Sequence, residues 1–487
     1  MEIANVLNMR NQRSQNLRVE TDVLQPQYIT DRECVFNIRK NGILDGGSRI
    51  IIPLSSTDAN SRLPLTSGCY SVLLSATLRT SKGVNICQTE DVDYLMTMNN
   101  QFVEPEKRKK RGVLVNGSQM NFSIVKNTTG DKEGSISFDL GSDDKKDIAN
   151  RFKVPVDVSR TNGVEYSVKL SQLFPNLFPF QIPLFLLKDG IQLHLTFTSD
   201  VKTGQRCLSS TGTQAQSGLI QVVNNQVRFV SDHLFFDSDV VNKLESLNAS
   251  SNGIVIPYGD YSLIKNVHTG IANPAAGSLT ELKTRRNIGL SNLKCRFMLI
   301  HNQEGGVGDS TTPAAPQLAG LGKYGSPSGI AGSEIQVVIN NENFYPRIIT
   351  RSNRLYNELE DVYGISPSVP YGLYTPDGSF AENAAQATQA GGIQVHAKLG
   401  SCAVSTNEIF GTDQSVNCGG FQCMGVNLST SRRQPFNVGM SIGQSPVEIF
   451  YNKNITNGRS ESVLQRIFVC IERMMVIKNG EIFTTNS

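Results

Sequence analysis

Residues 170–197 read LSQLFPNLFPFQIPLFLLKDGIQLHLTF, the most apolar window of a 487-residue chain. Pro175, Pro179 and Pro183 recur every four residues, and no helix passes through such a series, because proline lacks the N–H and its ring clashes with the preceding turn. What remains is a short turn of helix followed by strand. Ile191, Leu193, Leu195 and Phe197 alternate with Gln192, His194 and Thr196, the period of a strand with one buried and one wet face, which puts His194 on the outer side. Fifteen Leu, Ile and Phe side chains in this one window are enough to anchor a sheet.

Outward from the anchor the chain keeps the texture of an all-β protein: short apolar runs separated by Gly, Asn, Asp, Ser and Pro clusters. Before it, strands are expected at 34–38, 49–54, 69–78, 94–98, 112–115, 121–125, 135–138 and 152–156. After it, a strand at 226–230 runs into SDVVNKLESL, a helix with Asp237 or Ser238 as its N-cap. NASSNG then serves as a polar linker, and IVIPYGDYSLI opens a second β series with strands at 294–300, 334–339, 393–398, 422–428, 448–451 and 465–477. Asn479-Gly480 follows the last of these as a hairpin signal. A second helix is expected over 352–363, where Leu355, Leu359 and Val362 share one face. Two long Gly/Pro-rich loops, 302–329 and 363–392, stand out as functional or disordered segments.

The length exceeds what one hydrophobic core supports. The expected division is a polar arm, 1–24, and two β-rich halves, 25–247 and 248–487, each able to close as an eight-stranded sandwich. The arm is rich in Asn, Gln and Arg, with little apolar matter to pack.

Composition excludes several functions. Forty-six basic against forty-three acidic residues leave +3, too near neutrality for wholesale nucleic-acid or membrane binding. Nine cysteines at 34, 69, 87, 207, 295, 402, 418, 423 and 470 include no CxxC pair, which favours reduced structural thiols over disulfides or zinc. The first twenty residues have no apolar signal core and no eighteen apolar residues run together, so neither a signal peptide nor a transmembrane segment is expected.

No motif carries catalysis. Gly439-Met440-Ser441-Ile442-Gly443 matches G-x-S-x-G, but that elbow needs a strand before and a helix after the serine, and Pro446 follows closely. Ser231-Asp232-His233 holds triad residue types as immediate neighbours, which cannot form the relay, and reads as a strand terminus. Gly322-Lys323 lacks the rest of a phosphate loop. His194, His233, His268, His301 and His396 show no metal-ligand spacing. No catalytic, cofactor-binding or metal residue is therefore assigned, and no cofactor is expected. The run Lys107-Arg108-Lys109-Lys110-Arg111 reads as a solvated loop, with nuclear import or a nucleic-acid contact as the rarer alternatives. Sequons at Asn116, Asn121, Asn127, Asn248, Asn427 and Asn454 are expected to be unmodified.

Four segments, in order, carry a resemblance to a known family. VEYSVKLSQLFPNLFPFQIPLFLLKDGIQLHLTF resembles the corresponding region of the double jelly-roll major capsid proteins of double-stranded DNA viruses, in virophages, polinton-like viruses and their large eukaryotic relatives. VRFVSDHLFFDSDVVNKL resembles the last strand of that family's first jelly roll and the helix after it. EIQVVINNENFYPRIITRSNRLYNELEDVYG resembles a strand, turn and helix of the second jelly roll, and RIFVCIERMMVIKNGEIF its closing strand.

The resemblance implies an all-β fold of two consecutive eight-stranded antiparallel jelly-roll sandwiches with a few short helices and long loops. It implies a non-enzymatic major capsid protein that assembles as a homotrimer, a pseudo-hexagonal capsomer of an icosahedral shell. The implied partners are copies of itself, neighbouring capsomers, and penton and minor capsid proteins, without specific nucleic-acid recognition. The implied place is the virion, after synthesis in the nucleus or cytoplasm of a host cell. The alternatives are a double jelly-roll scaffold that shapes a membrane during assembly and, less favoured, a nucleic-acid-binding or carbohydrate-binding β-sandwich. The last would need aromatic platforms or an acid pair, and the chain has no Trp.

Overall fold

A computed structural model describes residues 17–56, 61–62, 68–101, 115, 164–198, 208–209, 220–268, 280–290, 292–304, 334–348, 358, 361–362, 404–405, 415–416, 423–429, 439–444, 447–455 and 463–486. Every strand pairing among them is antiparallel, and the four large sheets divide at the helix Ser238–Ala249.

Before that helix lie two sheets. One has seven strands, centred on Arg49–Ser56 and Arg228–Phe235; the other has five, in which the anchor strand Ile191–Phe197 sits between Glu33–Ile38 and Leu73–Thr80. Ile191, Leu193, Leu195 and Phe197 are buried and the residues between them half-buried, as the alternation requires. Their face closes on the other sheet, where Phe36 of one meets Phe229 of the other with ring centroids 5.8 Å apart. The prolines act as the sequence implies: the stretch opens with a single helical turn, Leu170–Leu173, continues through a 3-10 turn, Leu184–Leu186, and then extends.

After the helix lie a six-stranded sheet, built on Ile254–His268, Val463–Lys478 and Lys294–Glu304, and a four-stranded one built on Thr280–Ile288, Val447–Ile455 and Glu334–Ile339. Met298, Ile300, Ile467 and Val469 of the first face Ile335, Val337, Val447 and Ile449 of the second. The closing hairpin turns at Asn479 and Gly480, with φ of 51° and 80°, the paired left-handed geometry that an Asn-Gly turn supplies. The chain therefore has the all-β, two-sandwich architecture, with two-residue strands such as Ile43–Leu44 and Met440–Ser441 extending the sheets.

Three expectations are corrected. The segment 94–98 is not strand but part of the helix Val92–Gln101. Asp91 takes φ of 45° and its carbonyl accepts the N–H groups of Tyr94 and Leu95, so the chain turns into a helix whose Val92, Leu95 and Met96 are buried at three- and four-residue spacing. The segment 69–78 divides into a buried 3-10 turn, Gly68–Val72, and the strand Leu73–Thr80. Within the span read as an arm, Arg18–Leu24 is an edge strand in seven-residue register with Arg228–Phe235. Backbone pairing holds it rather than burial: Val19 and Val23 remain 55% and 62% exposed, so no apolar pattern announced it.

The strands expected at 121–125, 135–138, 152–156 and 393–398, residues 112–114 of the one expected at 112–115, and most of the two long loops lie outside the described residues. Of the helix expected over 352–363, Glu358, Asp361 and Val362 are described and helical.

Candidate functional site: the seam between the two sandwiches

The outermost strand of the five-stranded sheet, Asn85–Glu90, lies against Ile254–His268 at the edge of the six-stranded sheet. Two unpaired sheet edges are a liability in water, and here each covers the other. Apolar burial is continuous across the join: Ile86, Cys87 and Leu173 share a cluster with Tyr258, Leu299, Phe468 and Ile477.

Polar contacts fix the geometry. The Tyr258 hydroxyl donates to the Ile86 carbonyl. The Asp260 carboxylate accepts the Gln88 N–H at 3.1 Å and the Cys87 thiol at 3.2 Å on one oxygen, and the Arg473 guanidinium at 2.6 Å on the other. Arg473 also donates to Thr484 Oγ1, which donates to the Asn85 carbonyl. Burial, reinforced by Asp260, pushes the Cys87 thiol well up, so it stays a protonated donor.

Just past the end of the same strand Asp91 reaches across the seam. One oxygen accepts Lys265 Nζ at 2.9 Å and the other Arg466 Nε at 2.8 Å. Burial pushes this carboxyl up, but Arg466 and Lys265 outweigh it and hold it below its ordinary value. The Arg466 guanidinium lies 3.6 Å from the centroid of the Tyr94 ring, and the His301 ring is 5.2 Å from the same ring. His301 is 2% exposed, and burial followed by the Arg466 charge lowers its pKa well below 6.5.

The backbones approach closely as well. A Cβ on Gly259 would sit 2.7 Å from Cys470 Sγ and 3.1 Å from Cβ of Asn176, so the anchor stretch reaches the second sandwich where only glycine fits. At the far end Lys188 N–H donates to the Gly480 carbonyl, Gly480 N–H to Asn248 Oδ1, and Lys82 pairs with Asp189 and Glu481. The arrangement holds two sandwiches side by side.

The motifs weighed in the sequence fall elsewhere. Ser441 is exposed on a two-residue strand paired with Lys294, and Gly439 abuts the Cys295 carbonyl, so G-x-S-x-G is not on an elbow. Ser231, Asp232 and His233 lie within a strand rather than at its terminus. Ser231 and His233 do meet, Oγ to Nε2 at 2.8 Å, because residues two apart share a strand face; Asp232 points the other way, to Thr21. His233 Nδ1 faces the Asn41 carbonyl, and both dyad members are fully buried. His194 is half-buried beside Gln192, on the face assigned to it.

Two sequons are engaged in the fold: Asn248 accepts from the hairpin turn, and Asn427 is 6% exposed and bonded to Ser429 and Asp361. Asn116, Asn121, Asn127, the run 107–111, Gly322-Lys323 and His396 lie outside the described residues. Among the described residues no cluster of His, Cys, Asp and Glu could hold a metal, and no helix is long and apolar enough to cross a membrane.

The seam residues were not singled out by motif. Their signal was charge inside apolar runs: Arg466, Glu472 and Arg473 interrupt VLQRIFVCIERMMVIK, and Asp260 interrupts IVIPYGDYSLI. A charge buried in a strand demands a partner, and three of these four find one across the seam or through a residue bridging it. Glu472 instead accepts Arg296 and the Gly439 N–H within the second sandwich.

No protein-family model matches the chain and no curated protein matches its sequence. Solved structures do match its fold. The PBCV-1 virus capsid superposes with a TM-score of 0.56 at 10% identity, covering 97% of each chain. The Faustovirus major capsid protein gives 0.52 at 9% identity, covering 95% of this chain and 91% of that one. The mavirus major capsid protein gives 0.50 at 10% identity, covering 96% and 90%. The fold of this chain is that of the double jelly-roll major capsid proteins, along nearly its whole length.

Proposed function

We propose that this chain is a major capsid protein that assembles as a homotrimer, three copies presenting six sandwiches as a pseudo-hexagonal tile of an icosahedral viral shell. The observation that carries this reading is the seam: one polypeptide holds two antiparallel sandwiches rigidly side by side through Asp91, Arg466, Tyr258 and Asp260. A tile needs that rigidity, because a hinge between its halves would spread the orientations available to every neighbour. The full-length likeness to capsid proteins supports the same reading.

The proposed division is an arm, first jelly roll 25–247 and second jelly roll 248–487, with the arm shortened by the strand Arg18–Leu24. The partners are further copies of the chain, then penton and minor capsid proteins; the role is structural rather than enzymatic, and the site of action is the virion.

Light scattering on the purified protein tests the trimer. A stable species of three times 53.3 kDa is the expected result, and a monomer at high concentration would overturn it. Presence of the chain in mature particles, rather than in immature ones alone, separates a shell protein from a membrane-shaping scaffold.

A further inference from the structure

Three strands of the six-stranded sheet place three bases in one cross-strand row. Lys265 is the register partner of Arg466, and Arg466 is the register partner of His301. The acids that face this row come from the other sandwich: Asp91, bonded to Lys265 and Arg466, and Asp93, whose charge acts on Arg466. Tyr94, on the same helix as Asp93, packs against both the guanidinium and the imidazole. A proton on His301, which is buried, sets an imidazolium directly opposite the Arg466 guanidinium.

We propose that this row is an acid-sensitive latch: protonation of His301 loosens the contact of Lys265 and Arg466 with the Asp91 turn and opens the seam, while each sandwich stays folded. His301 charges readily only when the seam opens and water reaches the ring, so acid favours the open state. Below pH 6.5, the ordinary value for histidine, the open population rises about tenfold per pH unit until the closed form also takes up the proton. The inference concerns one chain and is independent of whether three chains associate.

Hydrogen exchange on the full-length protein, corrected for intrinsic rates, reads the latch from about pH 7.5 to about pH 5. The expected result is loss of protection across Asn85–Glu90, Val92–Gln101 and Ile254–His268, with the buried strand Ile191–Phe197 unchanged. His301→Gln, neutral throughout, should abolish the pH dependence. A seam whose protection does not change with pH, or an unchanged slope in H301Q, overturns the proposal. Should H301Q fail to fold, histidine-resolved NMR of the wild type decides: the imidazole must charge in step with seam opening, and charging with the seam closed overturns the proposal equally.

Discussion

The guanidinium of Arg466, in the last long strand of the chain, lies 3.6 Å from the centroid of the Tyr94 ring, in a helix more than 350 residues earlier. That stack, with the Asp91 carboxylate beneath it, ties the second sandwich to the first. Its energetics are unequal between partners: the Arg466 side chain is 7% exposed, whereas Lys265, which shares Asp91, is 46% exposed.

Asp91→Asn should therefore cost about 3–5 kcal/mol, since it leaves a buried guanidinium uncompensated. Asparagine tolerates the left-handed backbone at this position, so the loss reports charge rather than strain. Lys265→Met should cost about 1 kcal/mol or less, because solvent screens it. Urea midpoints of the two variants check the inequality; equal losses would contradict it.

Gly259→Ala should destabilise by about 1–3 kcal/mol by driving a methyl into Cys470 Sγ. Combined with Cys470→Ala, which vacates that space, the loss should shrink. A double-mutant cycle reads this, and strict additivity would show that the two positions do not touch.

In the anchor, Leu193→Ala should cost about 2–5 kcal/mol and Gln192→Ala no more than about 0.5, because the first is buried in the core face and the second lies half-buried on the opposite one. Thermal unfolding midpoints would separate them clearly.

Acid should weaken the fold in a region set by Asp91. Its folded pKa lies below 3.8, so the unfolded chain binds the proton first; the stabilisation is complete above that value and is lost as pH falls through the folded one. Denaturation midpoints measured at successively lower pH should fall in this window for the wild type and less so for Asp91→Asn.

The described thiols should be inert in the native state. Burial pushes Cys34 up to about 12, as it does Cys295 and Cys470, where nearby carboxylates reinforce it. Site-resolved mass spectrometry after alkylation at mild alkaline pH should find all three unmodified until denaturant is added. Rapid native labelling of any one would refute its placement in the core.

Strand alternation in 191–197, the proline series, the helix after Asp237 and the Asn-Gly hairpin were all legible, because each is decided by residues within a few positions of one another, although Asp237 holds the N-cap position without a side-chain cap bond. The helix Val92–Gln101 was misread as strand because it is buried on successive residues, Val92 to Met96, rather than along one face, and its start depends on the left-handed backbone of Asp91. Arg18–Leu24 was invisible because backbone pairing with a strand some two hundred residues away, not side-chain pattern, makes it a strand.

The sequence by itself determined that this protein is all-β, since hydrophobic period and turn chemistry act locally and survive in the order of residues. Only the tertiary structure decided how its two sandwiches are joined. Asp91 finding Arg466, or Gly259 admitting Cys470, depends on register between distant strands, and a slip of one residue would turn every one of those side chains to the opposite face.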